Sequence, residues 1–157
     1  MIKFEMPDGS IIEIRNVVLD FNGTIATDGV PIPGVAERLL HLSQRGVNVH
    51  LITADTHGTV REQCKDLLID IDVCEGADVK EQKRRLVREL GSQWTVAVGN
   101  GRNDVGMLQE SGLSISVIER EGCFTKSLLA SDIVVKSILD ALDLLLREKR
   151  LKATLRS

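Results

Sequence analysis

Apolar and polar positions alternate over residues 2–6, where Ile2, Phe4 and Met6 are separated by Lys3 and Glu5. That alternation predicts a half-buried strand, and Pro7-Asp8-Gly9 supplies turn chemistry before a second short strand over 11–15. The pattern changes at Asn16–Asp20. Val17, Val18 and Leu19 run without polar partners, as in a strand covered on both faces. After the Gly/Pro-rich stretch "DGVPIPG", Leu39, Leu40 and Leu42 recur at helical spacing and predict a helix over 35–45, with Gly46 as its stop. Strands over 47–52, 69–74, 95–98 and 113–117 then alternate with helices over 60–68, 81–90 and 102–110. A short strand over 133–135 leads into a helix from about residue 137 to 150. Strands alternating with helices in this way predict an α/β domain with a doubly wound, Rossmann-like and mostly parallel sheet, preceded by an N-terminal β-hairpin.

Composition narrows the class of protein. A chain of 157 residues fits a single domain with a core of its own. The net charge of −3 gives no basic field, so neither nucleic acid nor a membrane surface is an expected partner. Cys64, Cys74 and Cys123 are too scattered for a disulfide framework or a zinc site and read as reduced thiols. The sequence shows no signal-peptide pattern, and no apolar run approaches the roughly 18–20 residues needed to cross a bilayer, so the cytoplasm is the expected location. His41, His50 and His57 lack metal-ligand spacing and are assigned no role.

Candidate chemistry collects at the carboxyl ends of the strands, where open α/β sheets bind ligands. The first buried strand ends in Asp20 and the next in Thr53. Lys80 and Lys83 head the 81–90 helix, and the strand after it ends in Gly99-Asn100-Gly101-Arg102-Asn103-Asp104. A carboxylate can attack phosphorus, Thr and Lys can bind its non-bridging oxygens, and oxygens on two loops suit Mg²⁺. Each piece has a plainer reading. Asn22-Gly23 could be a type I′ hairpin turn, Thr53 a helix-capping residue, the lysines surface residues, and "GNGRND" an Asx-rich turn. The order of the four pieces and their shared placement favour the site. A receiver domain of two-component signalling is disfavoured, because Asp70 and Asp72 lie inside the third strand and not at its end.

These residues resemble the motifs of the haloacid dehalogenase (HAD) superfamily of phosphatases and phosphotransferases, over about residues 16–135. The first motif, Asp-x-Asp-Gly-Thr, stands here as Asp20-Phe21-Asn22-Gly23-Thr24. The second matches Thr53, the third a lysine heading a helix, and the fourth, Gly-Asp-Gly-x-Asn-Asp, residues 99–104. The stretches "ITAD" and "GNGRNDVGML" look most like the soluble P-type-ATPase-like branch. The resemblance implies an aspartyl-phosphate on Asp20, with Asn22, Thr53 and Lys83 completing the catalytic set. Gly23, Thr53, Ala54 and Lys83 would bind the phosphoryl group of a phosphorylated substrate. Asp20, the Asn22 carbonyl, Asn100 and Asp104 would hold Mg²⁺, directly or through water. Lys83 is preferred to Lys80, because "KRRLVREL" places Val87 and Leu90 in the register that follows the family's lysine. Asp55 and Arg102 are further candidates.

Two positions depart from the family pattern. Asn22 replaces the carboxyl that moves protons in family phosphatases, so turnover is expected to be slow; a non-catalytic or phospho-switch module on the same scaffold is the alternative. Asn100 replaces a metal carboxylate, so Mg²⁺ binding is expected to be weaker. There is no room for an inserted cap domain after Asp20 or between Thr53 and Lys83. The site is therefore expected to be open unless a second copy of the chain or a partner protein covers it. The N-terminal hairpin is a candidate for that cover, for an oligomer contact, or for a simple extension of the sheet.

Overall fold

The computed structural model describes residues 1–54 and 59–156. Ten strands and seven α-helices follow in chain order among them. They are β1 (Ile2–Glu5), β2 (Ile11–Ile14), β3 (Asn16–Asp20), β4 (Ala26–Thr27), β5 (Val30–Pro31), α1 (Val35–Gln44), β6 (Asn48–Thr53), α2 (Thr59–Gln63), β7 (Asp70–Val73), α3 (Val79–Leu90), β8 (Thr95–Gly99), α4 (Val105–Glu110), β9 (Leu113–Val117), α5 (Thr125–Ala130), β10 (Ile133–Val135), α6 (Ile138–Leu146) and α7 (Glu148–Leu155). Six strands form one parallel sheet in the order β10-β9-β8-β3-β6-β7.

The apolar runs dictate the layering. In β3 every residue is buried, and successive side chains point to opposite faces. Val17 and Leu19 join a core built with Leu39 and Leu42 of α1 and Leu142 and Leu145 of α6. Val18 faces the other way, into a core with Val87 of α3 and with Met107 and Leu108 of α4. α3 and α4 approach closely at Gly106, where a Cβ would lie 3.2 Å from the Lys80 carbonyl oxygen.

The chain runs outward from β3 through β6 to β7. It then crosses to the other side of β3 and continues through β8 and β9 to β10. The strand order therefore reverses between β3 and β8, and a crevice opens beyond the carboxyl ends of such a pair.

Several elements differ from the sequence expectation. The N-terminal hairpin does not extend the main sheet: β1 and β2 pair only with each other. It lies at the amino ends of the strands, away from their carboxyl ends. The Met1 ammonium donates to the Arg45 and Gly46 carbonyls ahead of β6, and the Arg15 N–H donates to the Trp94 carbonyl ahead of β8. Phe4 and Ile14 are buried in the main core, so the hairpin closes the bottom of the domain and covers no strand-end site. Asn22-Gly23, whose plainer reading was a hairpin turn, lies in the coil after β3, and a primed turn with positive φ at both residues forms at Asp28-Gly29, between β4 and β5. The C-terminal helix is broken at Arg147 into α6 and α7. A short helix, α5, fills the stretch before β10. No helix among the described residues is long and apolar enough to cross a membrane.

Candidate active site

Three neighbouring strands bring the chemistry together. β3 lies between β8 and β6, with Leu19 in register with Val98 and Asp20 with Ile52. Asp20 thus ends its strand between the loop after Gly99 on one side and Thr53 on the other. Asp20 and Thr53 are both buried, and the Thr53 carbonyl accepts from the Cys74 N–H at 2.7 Å. Past Asp20 the chain coils tightly, with the Phe21 carbonyl accepting from the N–H groups of Thr24, Ile25 and Ala26. This turn leaves the Asn22 side chain exposed and buries Thr24.

Lys83 joins the two acidic loops. Its side chain is fully buried, and Nζ donates to Asp20 Oδ1 at 2.5 Å and to Asp104 Oδ1 at 2.8 Å. Lys80 is exposed one turn away. The other oxygen of Asp104 accepts from the backbone N–H groups of Asn100 (3.0 Å) and Gly101 (2.8 Å), so this carboxylate shapes the loop that carries it. The loop needs a glycine at position 99, because a Cβ there would come within 2.7 Å of the Asp104 carboxyl.

Two carboxylates share one ammonium, and the acid–base balance reflects it. Burial, and then the charge of Asp104, push Asp20 up to about 6 against the downward pull of Lys83. Burial alone would lower the Lys83 ammonium, but Asp20 and Asp104 together outweigh it and hold it above the ordinary lysine value. Lys83 is therefore a fixed positive charge and Asp20 an anion held at a cost.

Asn100 faces the same crevice. Its Nδ2 donates to the Gly122 carbonyl at 2.9 Å, which aims Oδ1 inward, and its own carbonyl accepts from the Phe124 N–H at 2.8 Å. Thr24 Oγ1 lies 3.3 Å from Asn100 Oδ1 and 3.4 Å from Asp20 Oδ2. Thr24, whose place inside the first motif assigns it no role, thus stands between the two oxygens. The 121–127 segment was also missed; nothing in its residue types marks it, and it reaches the site only through the fold. Ser127 of this segment donates to the Gly101 carbonyl at 2.6 Å.

Asp20, Thr53, Lys83, Asn100 and Asp104 thus gather at one edge. Gly23 adopts φ +74 in the turn beside them, and Ala54 is half-buried just past Thr53. Arg102 is exposed, with its guanidinium 5.0 Å over the Phe124 ring. Asp55 and His57 lie outside the described residues. His50 is largely buried in β6, with Nδ1 3.9 Å from Asp70, away from the strand ends.

A doubly wound parallel sheet with a carboxylate–lysine–carboxylate cluster at its switch point places this chain among the α/β domains that carry their site at the strand ends. The chain belongs to the haloacid dehalogenase-like hydrolase family, whose model matches residues 11–112. It is similar to a soluble P-type ATPase-like phosphatase of Methanocaldococcus jannaschii, 28% identical over 87% of this chain, and spans 50% of that relative's length. An uncharacterised protein of the same organism is 54% identical over 45% of this chain and 76% of its own. The fold is shared with a 3-deoxy-D-manno-octulosonate 8-phosphate phosphatase from Moraxella catarrhalis, solved with magnesium, phosphate and a sugar acid. That similarity has a TM-score of 0.72 and 19% identity, and covers 92% of this chain and 95% of the other.

Proposed function

We propose that this chain is a Mg²⁺-dependent phosphohydrolase that works through an aspartyl-phosphate on Asp20. The observation that carries the reading is the buried Lys83 ammonium on Asp20 Oδ1. Such a charge offsets the negative charge of a phosphoryl group as it reaches the carboxylate. In the first step an Asp20 oxygen bonds to phosphorus while the ester P–O bond breaks, and the leaving group takes the electron pair. In the second step water attacks phosphorus, the bond to Asp20 breaks, and the carboxylate is regenerated. Lys83, the Thr53 hydroxyl and the backbone around Gly23 and Ala54 would hold the phosphoryl oxygens.

The donor set fits a hard cation, though sparsely. Asp20 Oδ2 and Asn100 Oδ1 converge on Thr24, and the Asn22 carbonyl would join them. Among the described residues no three His, Cys, Asp or Glu side chains form a metal cluster. Mg²⁺ suits such a site, because it takes few protein oxygens and keeps several waters. When bound, the ion would reduce repulsion between Asp20 and the incoming phosphate. Asp104, with Oδ1 on Lys83 and Oδ2 on two N–H groups, contributes by positioning Lys83 and the Asn100 loop.

Turnover is expected to be slow. Asn22 stands where a proton-transferring carboxyl would serve both steps, and losing such a group costs about 10²–10⁴-fold in rate. The exposed amide at Asn22 also favours a second reading, in which phosphorylated Asp20 persists and the chain acts as a switch. The substrate would be a phosphorylated molecule met in the cytoplasm. The insertion between β3 and α1 is only the short β4–β5 hairpin, which leaves room for a bulky substrate, a second copy or a partner protein over the site.

Incubation with acetyl phosphate and Mg²⁺, followed by intact-mass measurement, tests the reading. Wild type should gain one phosphoryl group and Asp20→Asn none. Decay within minutes would mark a phosphatase and persistence over hours a switch. No mass change in wild type, together with no hydrolysis of any small phosphate ester, would falsify the proposal.

A further inference from the structure

The loop that fixes Asn100 also brings a carboxylate to it. Gly122 accepts the Asn100 amide through its carbonyl, and Glu121 immediately precedes it. Glu121 Oε2 lies 2.9 Å from the point a Cβ on Gly23 would occupy, and Asn100 Nδ2 lies 2.4 Å from that same point. Gly23, at φ +74, thus leaves open the space into which the Glu121 carboxylate and the Asn100 amide both reach. The segment is tied down behind this point, with the Phe124 N–H on the Asn100 carbonyl and the Ser127 hydroxyl on the Gly101 carbonyl. The position of Glu121 therefore follows from the docking of its loop and not from the side chain alone.

We infer that Glu121 restores to the cation site the negative charge that the amide at Asn100 withholds. This rests on the metal-dependent reading above. Asn100 Oδ1 keeps a neutral donor oxygen turned inward, and Glu121 adds a full charge from the adjacent loop. An exposed carboxylate at the mouth of the site acts through the water shell of a hydrated divalent cation, which needs no dehydrated contact. Across several ångströms of partly hydrated space, one such charge changes the affinity for a divalent ion by about 10-fold. Affinity for hard cations is tuned by the charge count of the ligand set. Acidic residues on the far side of the fold cannot substitute, because they lie beyond the screening length of the medium.

Titration calorimetry of Mg²⁺ into the metal-free full chain tests this without any turnover. In about 0.1 M salt, where charges are screened over about 10 Å, Glu121→Gln should weaken binding about 10-fold, and Glu121→Asp should stay close to wild type. Asn100→Asp in the Glu121→Gln background should return the affinity, because it replaces the charge within the same site. Glu5→Gln, which removes an exposed carboxylate from the hairpin at the opposite end of the sheet, should change nothing. Equal affinity of wild type and Glu121→Gln would overturn the inference while leaving phosphorylation of Asp20 to be judged by mass. Absence of Mg²⁺ binding by wild type would overturn it as well. In that case phosphoenzyme formation in the presence of chelator would show that the Asp20 chemistry stands apart from the metal.

Discussion

Lys83 Nζ sits 2.5 Å from Asp20 Oδ1 and 2.8 Å from Asp104 Oδ1, so one buried ammonium ties the end of β3 to the loop after β8. Replacing it with an uncharged side chain leaves two buried carboxylates facing each other. Removing one partner of a buried ion cluster typically costs about 3–5 kcal/mol. Lys83→Met should therefore lower the thermal midpoint markedly in chelator, and Mg²⁺ should recover more stability in this variant than in wild type. Scanning calorimetry with and without Mg²⁺ checks both directions. A variant as stable as wild type in chelator would mean that the two carboxylates do not depend on Lys83.

Asp20 gives the opposite sign. Its folded pKa, about 6, lies above the ordinary 3.8, because burial and then Asp104 disfavour its anion. The protonated form is thus the one the fold prefers. That contribution is fully present below about pH 4 and is lost as pH rises through about 6. Asp20→Asn removes the penalty while Asp104 still pairs with Lys83. In metal-free buffer it should be more stable than wild type at pH 7–8 by roughly 1–3 kcal/mol, with the gain vanishing toward pH 4. Urea midpoints at the two pH values measure it. A difference that does not change with pH would assign the effect to packing.

The parallel sheet and the strand-end carboxylate were legible because a fully covered strand leaves an unbroken apolar run, as Val17–Leu19 does, and stops where the chemistry starts. The β1–β2 hairpin was legible as well, but the place where it packs was not. Alternation at Ile2, Phe4 and Met6 reports one buried face but not which surface buries it, and here that surface is the bottom of the core. The break at Arg147 was also hidden, since Leu144, Leu145 and Leu151 keep an apolar face on both sides of it. At the site, Asp20 was legible from its place at a strand end, and Lys83 through the motif register of the family that the sequence resembles. Thr24 and Glu121 were not, because their roles depend on the Asn100 amide, which is far from both in sequence.

On the proposed mechanism, the amide at Asn22 would set the fate of the phosphoenzyme. It is exposed beside Asp20 and can hold water without accepting its proton. Asn22→Asp should speed hydrolysis of the aspartyl-phosphate by about 10²–10⁴-fold and leave its formation from acetyl phosphate nearly unchanged, since acetate leaves without a proton. Single-turnover decay of the trapped species, followed by mass, separates the two steps. Equal decay in both forms would move the proton path to another group.

The ion pairs of Glu110 tie α4 to α3, the helix that carries Lys83. Arg84 and Arg88 lie on α3, and Glu110 closes α4, which begins just after Asp104. Glu110 Oε2 accepts from Arg84 at 2.8 Å and from Arg88 at 3.1 Å, and Oε1 accepts from Ser92 at 2.9 Å. The Arg88 and Arg84 guanidinium groups, with Ser92, bring its carboxyl down to about 2. A depressed carboxylate stabilises the fold above its unfolded value of 4.5, and this contribution is lost as pH falls toward 2. Glu110→Gln should therefore be less stable than wild type at pH 6, with the difference shrinking below pH 4. Hydrogen exchange should loosen first at the α3–α4 contact around Gly106. Faster exchange confined to the free end of α4, with α3 unchanged, would show that Glu110 anchors its own helix and not the lysine.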